Sequence, residues 1–409
     1  MRNEENWLNL VIVGHIDHGK STLIGSMLLE TGSLPAAKLA EIKNISKQHG
    51  RDIELAFLAD QLKEEREKNI TIDTTQIFFQ TSQRRYCIID APGHVEFIRN
   101  MITGSTRADA AVLLIDAHEG MMEQTRRHLY ILNLLGVRKI VAAINKMDAV
   151  GYRQRVFELR QRELLSFFNT AGIAVPQVIP VSARKGDNIL RKSSRMSWYG
   201  GEPLLDVLDA LTTEVCAKRS FRLPVQDTYR VRGKNILVGR IVSGTVSRGQ
   251  VVVVLPSRQE TAVESIEIFG RVPRRAYEGE SIGITLTHLC SAGRGDVIVG
   301  RTNLPVVSDR FQSNVFWLAK APLRLRRPMI LQCLTQQVEC FAESIPARID
   351  TSSFQVIERN ASELKSNEAG CVVLKTVRPL VIERFETAKE MGRFTLEYNG
   401  CVAAAGVVL

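Results

Sequence analysis

The sequence predicts an α/β domain with a mostly parallel sheet, followed by two all-β barrel domains. Three observations carry that prediction. Through the first half, apolar strand-like runs alternate with helix-like stretches, and this rhythm implies a parallel sheet covered on both faces. Near Phe221–Pro224 the texture changes to short strands separated by Gly, Arg and Pro turns, as in a barrel or sandwich. A second shift falls at Leu304–Asp309, after which strand signals resume. The expected domains are residues 1–221, 222–306 and 307–409.

The elements follow in order. Leu8–Val13 is a continuous apolar strand, followed by a Gly-rich turn and a helix over Lys20–Leu29. Tyr86–Ile89 and Ala110–Ile115 read as further buried strands. A helix over Gln124–Leu135 precedes a strand over Lys139–Ile144. Val178–Val181 is one more strand, and Pro203–Val215 one more helix. In the second domain Ile236–Val242, Gln250–Leu255, Val263–Ile268 and Ser281–Leu286 read as strands, and Phe311–Trp317 opens the third.

Composition bounds the function classes. A chain of 409 residues argues for two or three domains. With 44% hydrophobic and 24% charged residues it has the balance of a globular protein. No apolar run reaches the ~18–20 residues of a membrane span, and the polar start Met1–Asn6 is unlike a signal peptide. A cytoplasmic location with no membrane partner is expected. Seven cysteines without a CxxC pair argue against a disulfide framework or zinc ribbon. The net charge of +10 invites nucleic acid. Its basic clusters are short, however: Arg324–Arg327, Arg271–Arg275 and Arg126–Arg127. The excess therefore reads as spread over the surface, and nucleic acid is not the expected partner.

The chemistry lies in four motifs. Gly14-His-Ile-Asp-His-Gly-Lys-Ser21 fits G-x-x-x-x-G-K-[ST], with a strand before it and a helix after it. Gly14 and Gly19 let the backbone approach phosphate, and amide groups at the helix start surround it. Lys20 neutralises the β- and γ-phosphate oxygens, and Ser21 offers a hydroxyl to Mg²⁺. His15, Asp17, His18 and Thr22 complete the expected nucleotide-binding loop. A metal site on His15 and His18 is set aside, because a loop wrapped around phosphate cannot aim both imidazoles at one metal.

Asp90-Ala-Pro-Gly-His94 follows a strand. Asp90 is expected to reach Mg²⁺, Gly93 N–H to sense the γ-phosphate, and His94 to place the attacking water. Thr71, in Glu67–Asp73, is expected to bind Mg²⁺ and γ-phosphate together and to let go after hydrolysis. Asn145-Lys-Met-Asp148 selects guanine: Asp148 accepts from N1–H and the exocyclic amine, a donor pair that adenine lacks. Asn145 braces the loops and Lys146 covers the ring with its alkyl stem. Ser182-Ala183 follows another strand, with Ala183 N–H aimed at guanine O6. Together these motifs imply a Mg²⁺-dependent P-loop GTPase rather than an ATP-binding P-loop protein. His94, Lys20 and Thr71 are the expected catalytic groups.

With these residues the chain resembles the translation-factor class of GTPases over nearly its whole length. The resemblance implies a GTPase domain followed by two β-barrels, with GTP and Mg²⁺ as cofactors. Within the class it is read as similar to the GTPase subunit of bacterial sulfate adenylyltransferase. The segments behind that reading are Gln124–His128, Leu134–Gly136, Gly186–Asn188, Trp198–Tyr199, Pro224–Gln226, Leu255–Ser257, Arg294–Asp296, Arg348–Asp350 and Gly392–Phe394. That branch implies a partner catalytic subunit that joins ATP and sulfate, driven by GTP hydrolysis on this chain. Departures include Asn69 before Ile-Thr and an extra residue at Gly201-Glu202-Pro203. No second P-loop appears before Leu409, so no adenylylsulfate kinase domain is expected. The alternative within the class is an elongation factor that binds aminoacyl-tRNA or the ribosome. A non-hydrolysing GTP-binding scaffold is a third reading, against which His94 and Thr71 stand.

Overall fold

Residues 7–34, 75–90, 108–174, 176–212, 219–231, 233–268, 271–288 and 291–409 are described by the computed structural model of the chain. Its sheets begin with β1 (Trp7–Gly14), β2 (Thr75–Gln80), β3 (Arg85–Asp90), β4 (Ala110–Asp116), β5 (Lys139–Asn145) and β6 (Gln177–Pro180). They form one six-stranded sheet in the order β2-β3-β1-β4-β5-β6. From β3 to β6 every pairing is parallel. Seven of seven β4 residues are buried, which is why this strand reads as an unbroken apolar run. Each fully buried Val, Leu or Ile contributes about 1.5–3 kcal/mol.

β2 runs antiparallel to β3, a strand that the apolar pattern does not announce. The Thr81–Arg84 turn joins the two, with Thr81 N–H bonded to the Arg84 carbonyl. So short a connection permits only an antiparallel pair.

Among the described residues the α-helices of this unit are α1 (Lys20–Glu30), α2 (Glu123–Leu134), α3 (Gln154–Ala171) and α4 (Leu204–Asp209). α3 is absent from the sequence-based expectation because it buries only Phe157, Leu164 and Phe168. Its end is marked by Gly172 at φ 65°, a left-handed cap that glycine adopts without strain. α4 stops at Asp209, short of the expected Val215; residues 213–218 are outside the described set. Leu8, Leu10, Leu23, Met27, Val112, Leu114 and Leu205 lie in the core between sheet and helices.

The chain divides into two compact units, Met1–Thr213 with Thr351–Phe354, and Glu214–Asp350 with Gln355–Leu409. The described residues of the second unit form strands and no helix. Its first sheet comprises β7 (Arg222–Pro224), β8 (Asp227–Val231), β9 (Lys234–Arg240), β11 (Val251–Leu255), β12 (Gln259–Glu267), β14 (Ser281–Leu286) and β15 (Val297–Gly300). A small pair, β10 (Thr245–Ser247) and β13 (Arg275–Tyr277), accompanies it. The order β7-β15-β11-β12-β14-β9-β8 curls until Gln226 N–H meets the Val238 carbonyl.

The second sheet of this unit contains β16 (Val306–Trp317), β18 (Met329–Cys333), β19 (Gln336–Ile349), β20 (Val356–Ala361), β22 (Ala369–Ile382), β23 (Arg393–Tyr398) and β24 (Cys401–Val408). β17 (Leu323–Arg324) and β21 (Glu363–Leu364) form a short pair beside it. An additional β18–β19 pairing closes six strands into a ring, and a closed barrel leaves no edge among those six. Each barrel has its own core, Leu223, Val252 and Ile284 in one, Trp317, Leu331 and Phe394 in the other.

The barrels share a seam. Val253, Leu255 and Val299 pack with Val381 and Met391. Beside them Arg222 Nη2 reaches Glu383 Oε1 at 2.7 Å, with 3% and 12% of the side chains exposed. Arg222 also donates to the Asn303 and Phe221 carbonyls. A mostly parallel α/β domain followed by β-barrels is thus the architecture. No helix among the described residues is long and apolar enough to cross a membrane.

Candidate functional site

The loop between β1 and α1 is shaped by two glycines. A Cβ at Gly14 would lie 2.5 Å from the Leu114 carbonyl oxygen of β4. Gly19 sits at φ +91°, and a Cβ there would lie 2.7 Å from Asn145 Nδ2. Gly19 is also the N-cap of α1. No side chain caps this helix, and its first turn holds no acid. The first-turn amides and the helix dipole are thereby left to an anion from outside the helix. Lys20 Nζ folds back onto the Gly14 and His15 carbonyls at 3.1 and 2.8 Å. Ser21 and Thr22 follow in the first turn, both partly exposed. Asp17 takes the left-handed conformation at φ 63°. These features fit a polyphosphate with its cation.

His18 has a different place from the one its motif suggests. Its side chain is fully buried. Nδ1 lies 3.3 Å from the Leu114 carbonyl and Nε2 lies 3.1 Å from Glu119 Oε2. The imidazole is a strut under the loop, and its carbonyl, not its ring, faces the base loop. Burial pushes the imidazole below its usual range, against the Leu114 carbonyl and the Glu119 carboxylate. His15 packs edge-on to His18 with ring centroids 5.3 Å apart.

The base side is held by Asn145. Its Nδ2 donates to the His18 carbonyl at 2.9 Å, and its Oδ1 accepts from Ala183 N–H at 2.9 Å. One side chain thus links the phosphate loop to the Ser182 loop. Ala183 N–H, expected to meet guanine O6, already has Asn145 as an acceptor. Asp148 Oδ1 accepts from Ser182 Oγ at 2.7 Å, which orients the carboxylate. Lys146, at φ 62°, pairs its ammonium with Asp116 Oδ2 at 2.7 Å. Burial alone would raise the Asp116 carboxyl, but Lys146 and the His118 and Glu119 N–H groups outweigh it and hold it below the usual range.

A second layer braces these loops. Tyr152 and Ser193 hydroxyls donate to Asp187 at 2.9 and 2.7 Å. Trp198 Nε1 donates to the Tyr152 carbonyl, and Asn188 Nδ2 to the Pro180 carbonyl at the end of β6.

The structure therefore brings together Gly14, Gly19, Lys20, Asn145, Lys146, Asp148, Ser182 and Ala183 around one loop cluster. Asp90 closes β3 opposite Thr75 in the backbone register; its side chain is outside the described set. Thr71, Gly93, His94 and Asn69 are outside it altogether. Among the described residues no three His, Cys, Asp or Glu gather as a metal site, whereas the expected Mg²⁺ ligands are two hydroxyls and one carboxylate. Sequence reasoning missed Asp116 and Glu119, and read Asp187 only as part of a family segment and not as the partner of Tyr152 and Ser193. Asp116 was open to discovery, because it ends a parallel strand on the carboxyl edge, where open α/β sheets bind ligands.

Comparison with known proteins follows the same geometry. Residues 5–215 match the Elongation factor Tu GTP binding domain, and residues 310–409 the GTP-eEF1A C-terminal domain-like family. Elongation factor 1-alpha of Methanosphaerula palustris is 36% identical over 100% of this chain and 98% of its own. The Archaeoglobus fulgidus protein of that name is 37% identical, over 100% and 99%. Solved structures of sup35 complexed with GMPPNP and with GDP are 25% identical, with TM-score 0.45 over 99% of this chain and 94% of theirs.

The relatives named elongation factor 1-alpha overturn the sulfate reading, both as function and as a partner adenylyltransferase subunit. The expectation that nucleic acid is an unlikely partner falls with it. The structure shows why the short segments misled: they meet local folding needs. Gly136 and Gly186 hold φ of 68° and 74°. Asp296 accepts from Gly293 N–H within its own turn. A Cβ at Gly392 would lie 2.4 Å from Phe385 Cα.

Proposed function

The chain belongs to the elongation factor Tu and elongation factor 1-alpha family of GTPases, and on that premise we propose that it is a translational GTPase that carries aminoacyl-tRNA and hydrolyses GTP on the ribosome. GTP with Mg²⁺ serves this family. The observation that carries the proposal is the relation to elongation factor 1-alpha, which runs the full length of the chain, barrels included. The net charge of +10 suits a partner made of RNA. Such a protein works in the cytoplasm, where translation takes place.

In this reading amides from Gly14 to Ser21 surround the β- and γ-phosphates, with His15, Asp17, His18 and Thr22 contributing through the loop's shape. Lys20 leaves its carbonyl partners for phosphate oxygen. Ser21, Thr71 and Asp90 would hold Mg²⁺, which would supply positive charge to offset the charge that builds on the phosphates. Gly93 N–H senses the γ-phosphate, and His94 orients the attacking water. Asp148 reads guanine N1–H and the 2-amino group with two oxygens, one already steadied by Ser182. Lys146, stretched toward Asp116, lays its stem on the ring. Ala183 N–H is shared between Asn145 Oδ1 and guanine O6. The domains proposed are 1–221, 222–306 and 307–409.

The test is GTP turnover by the purified chain with and without ribosomes, alongside protection of an aminoacyl-tRNA ester from hydrolysis. Ribosome-stimulated turnover and GTP-dependent protection are expected. Turnover indifferent to ribosomes, with no protection, would overturn the translational reading.

A further inference from the structure

The phosphate loop and the base loop lean on the same short turn. Asp116 ends β4, and its Oδ1 accepts from His118 N–H at 2.7 Å and Glu119 N–H at 3.4 Å. Gly120 N–H returns to the Asp116 carbonyl, and Gly120 holds φ at 79°. Arg160 of α3 clamps the turn from outside, with Nε on the Ala117 carbonyl at 3.0 Å and Nη2 on the His118 carbonyl at 2.5 Å. Its remaining nitrogen pairs with Glu163. A Cβ at Gly120 would lie 2.7 Å from this guanidinium.

Two carboxylates leave this rigid turn in different directions. Glu119 takes His18 of the phosphate loop at 3.1 Å, and Asp116 takes Lys146 of the base loop at 2.7 Å. Between them Ala117 N–H donates to the Asn145 carbonyl at 2.9 Å. His18 in turn offers its carbonyl to the Asn145 side chain. Both loops are thereby referenced to one backbone segment.

We propose that Asp116 and Glu119 are positioning residues for guanine-nucleotide binding: Glu119 sets the phosphate loop through His18, and Asp116 sets the base loop through Lys146. The inference rests on the reading of this site as a guanine-nucleotide site. Neither residue touches the nucleotide in that reading: Glu119 acts through the shape that His18 gives the phosphate loop, and Asp116 through Lys146. The two arms differ in what they control. A slack phosphate loop loses the diphosphate whatever the base. A slack base loop, no longer fixed through Lys146, misplaces the Asp148 carboxylate and loses discrimination between bases.

Dissociation constants for GDP and inosine diphosphate, which lacks the 2-amino group, test this in the full chain. Melting temperatures are read in parallel. Glu119→Ala is expected to weaken both nucleotides by about tenfold or more, the scale of a hydrogen bond to a charged group. Glu119→Gln is expected to fall between, because its amide oxygen still accepts from His18. Asp116→Asn is expected to lower the preference for GDP over inosine diphosphate several-fold. A merely structural role would lower melting temperatures and leave the dissociation constants and the base preference in place. Constants within about twofold of the parent for all variants, or a Gln variant no better than Ala, would overturn the proposal. Glu119 has 46% of its side chain exposed, so its two variants decide the matter even where Asp116→Asn does not fold. Asp148→Asn separates the two levels. If it leaves guanine preference intact, the site assignment itself fails. If it abolishes the preference while the Glu119 and Asp116 variants bind as the parent does, only the positioning role fails.

Discussion

Ser182 Oγ donates to Asp148 Oδ1 at 2.7 Å, so the carboxylate proposed to read the base is held by a residue 34 positions further along the chain. An oriented carboxylate discriminates because a base without two matching donors leaves it unpaired. Asp148→Asn is expected to move preference from GTP toward xanthosine triphosphate, since the amide donates to the C2 oxygen of xanthine. Ser182→Ala is expected to weaken GTP by about tenfold with the preference for guanine retained. Competition binding with the two triphosphates checks both, and an unchanged base preference in Asp148→Asn would falsify the guanine assignment.

Asn145 makes two buried hydrogen bonds in opposite directions, to the His18 carbonyl and from Ala183 N–H. Asn145→Ala strands both partners, and each unsatisfied group costs about 1–3 kcal/mol. Nucleotide affinity is expected to drop by about a hundredfold or more, with a lower melting temperature. Titration with GDP measures the first and calorimetry the second. An affinity near that of the parent would show that the two loops hold without this link.

His94→Ala is expected to bind GTP nearly as the parent does and to turn it over about 10²-fold or more slowly, the scale of a group that handles the attacking water. Single-turnover hydrolysis beside a binding titration separates the two effects. Equal turnover would remove His94 from the mechanism.

Arg222 and Glu383 form a pair with almost no exposure between the two barrels. Removing one partner leaves a buried charge alone, which costs about 3–5 kcal/mol. Arg222→Ala is therefore expected to lower the unfolding midpoint of the barrel unit strongly, and Glu383→Gln less, because the amide oxygen still accepts. Chemical denaturation followed by tryptophan fluorescence reads this, through the buried Trp317. A midpoint within experimental error of the parent for Arg222→Ala would rule out a structural role for the pair.

Acid acts on the strut under the phosphate loop. His18 is held below its ordinary value by burial, with the Leu114 carbonyl and Glu119 opposing. The folded state therefore binds fewer protons than the unfolded chain just below the ordinary imidazole value of about 6.5. Stability is full above that pH and falls as the pH drops from it toward the lowered folded value. Asp116 is lowered in the fold, so its contribution persists above the usual carboxyl range and is lost only in stronger acid, through its folded value. Melting curves from pH 8 to pH 5 are expected to slope downward below about pH 6.5, and less steeply in His18→Gln. An equal slope in the variant would assign the acid response elsewhere.

Much of the site was legible because its motifs are contiguous. Gly14–Ser21 and Asn145–Asp148 each lie within one short stretch of chain, so spacing in the sequence stands for geometry in space. β1, β4 and β5 were equally legible, since burial on both faces makes each a largely apolar run, interrupted in β1 only by Asn9. α3 was not, with three buried residues in eighteen. Nor was β2, an edge strand that exposes Phe78. The choice between family branches rested on short segments rich in glycines and turn residues, which report local backbone demands.

The sequence by itself determined the nucleotide chemistry, the change from α/β to β, and the phosphate and base motifs, all properties of neighbouring residues. Tertiary structure alone decided which side chains meet across the chain. His18 finds Glu119 101 positions away, and Arg222 finds Glu383 161 positions away. Lys146 reaches Asp116 because β4 lies beside β5 in register, with Asp116 opposite Asn145. Such pairings depend on strand order and register, which are set by the packing of whole sheets and leave no local pattern in the chain.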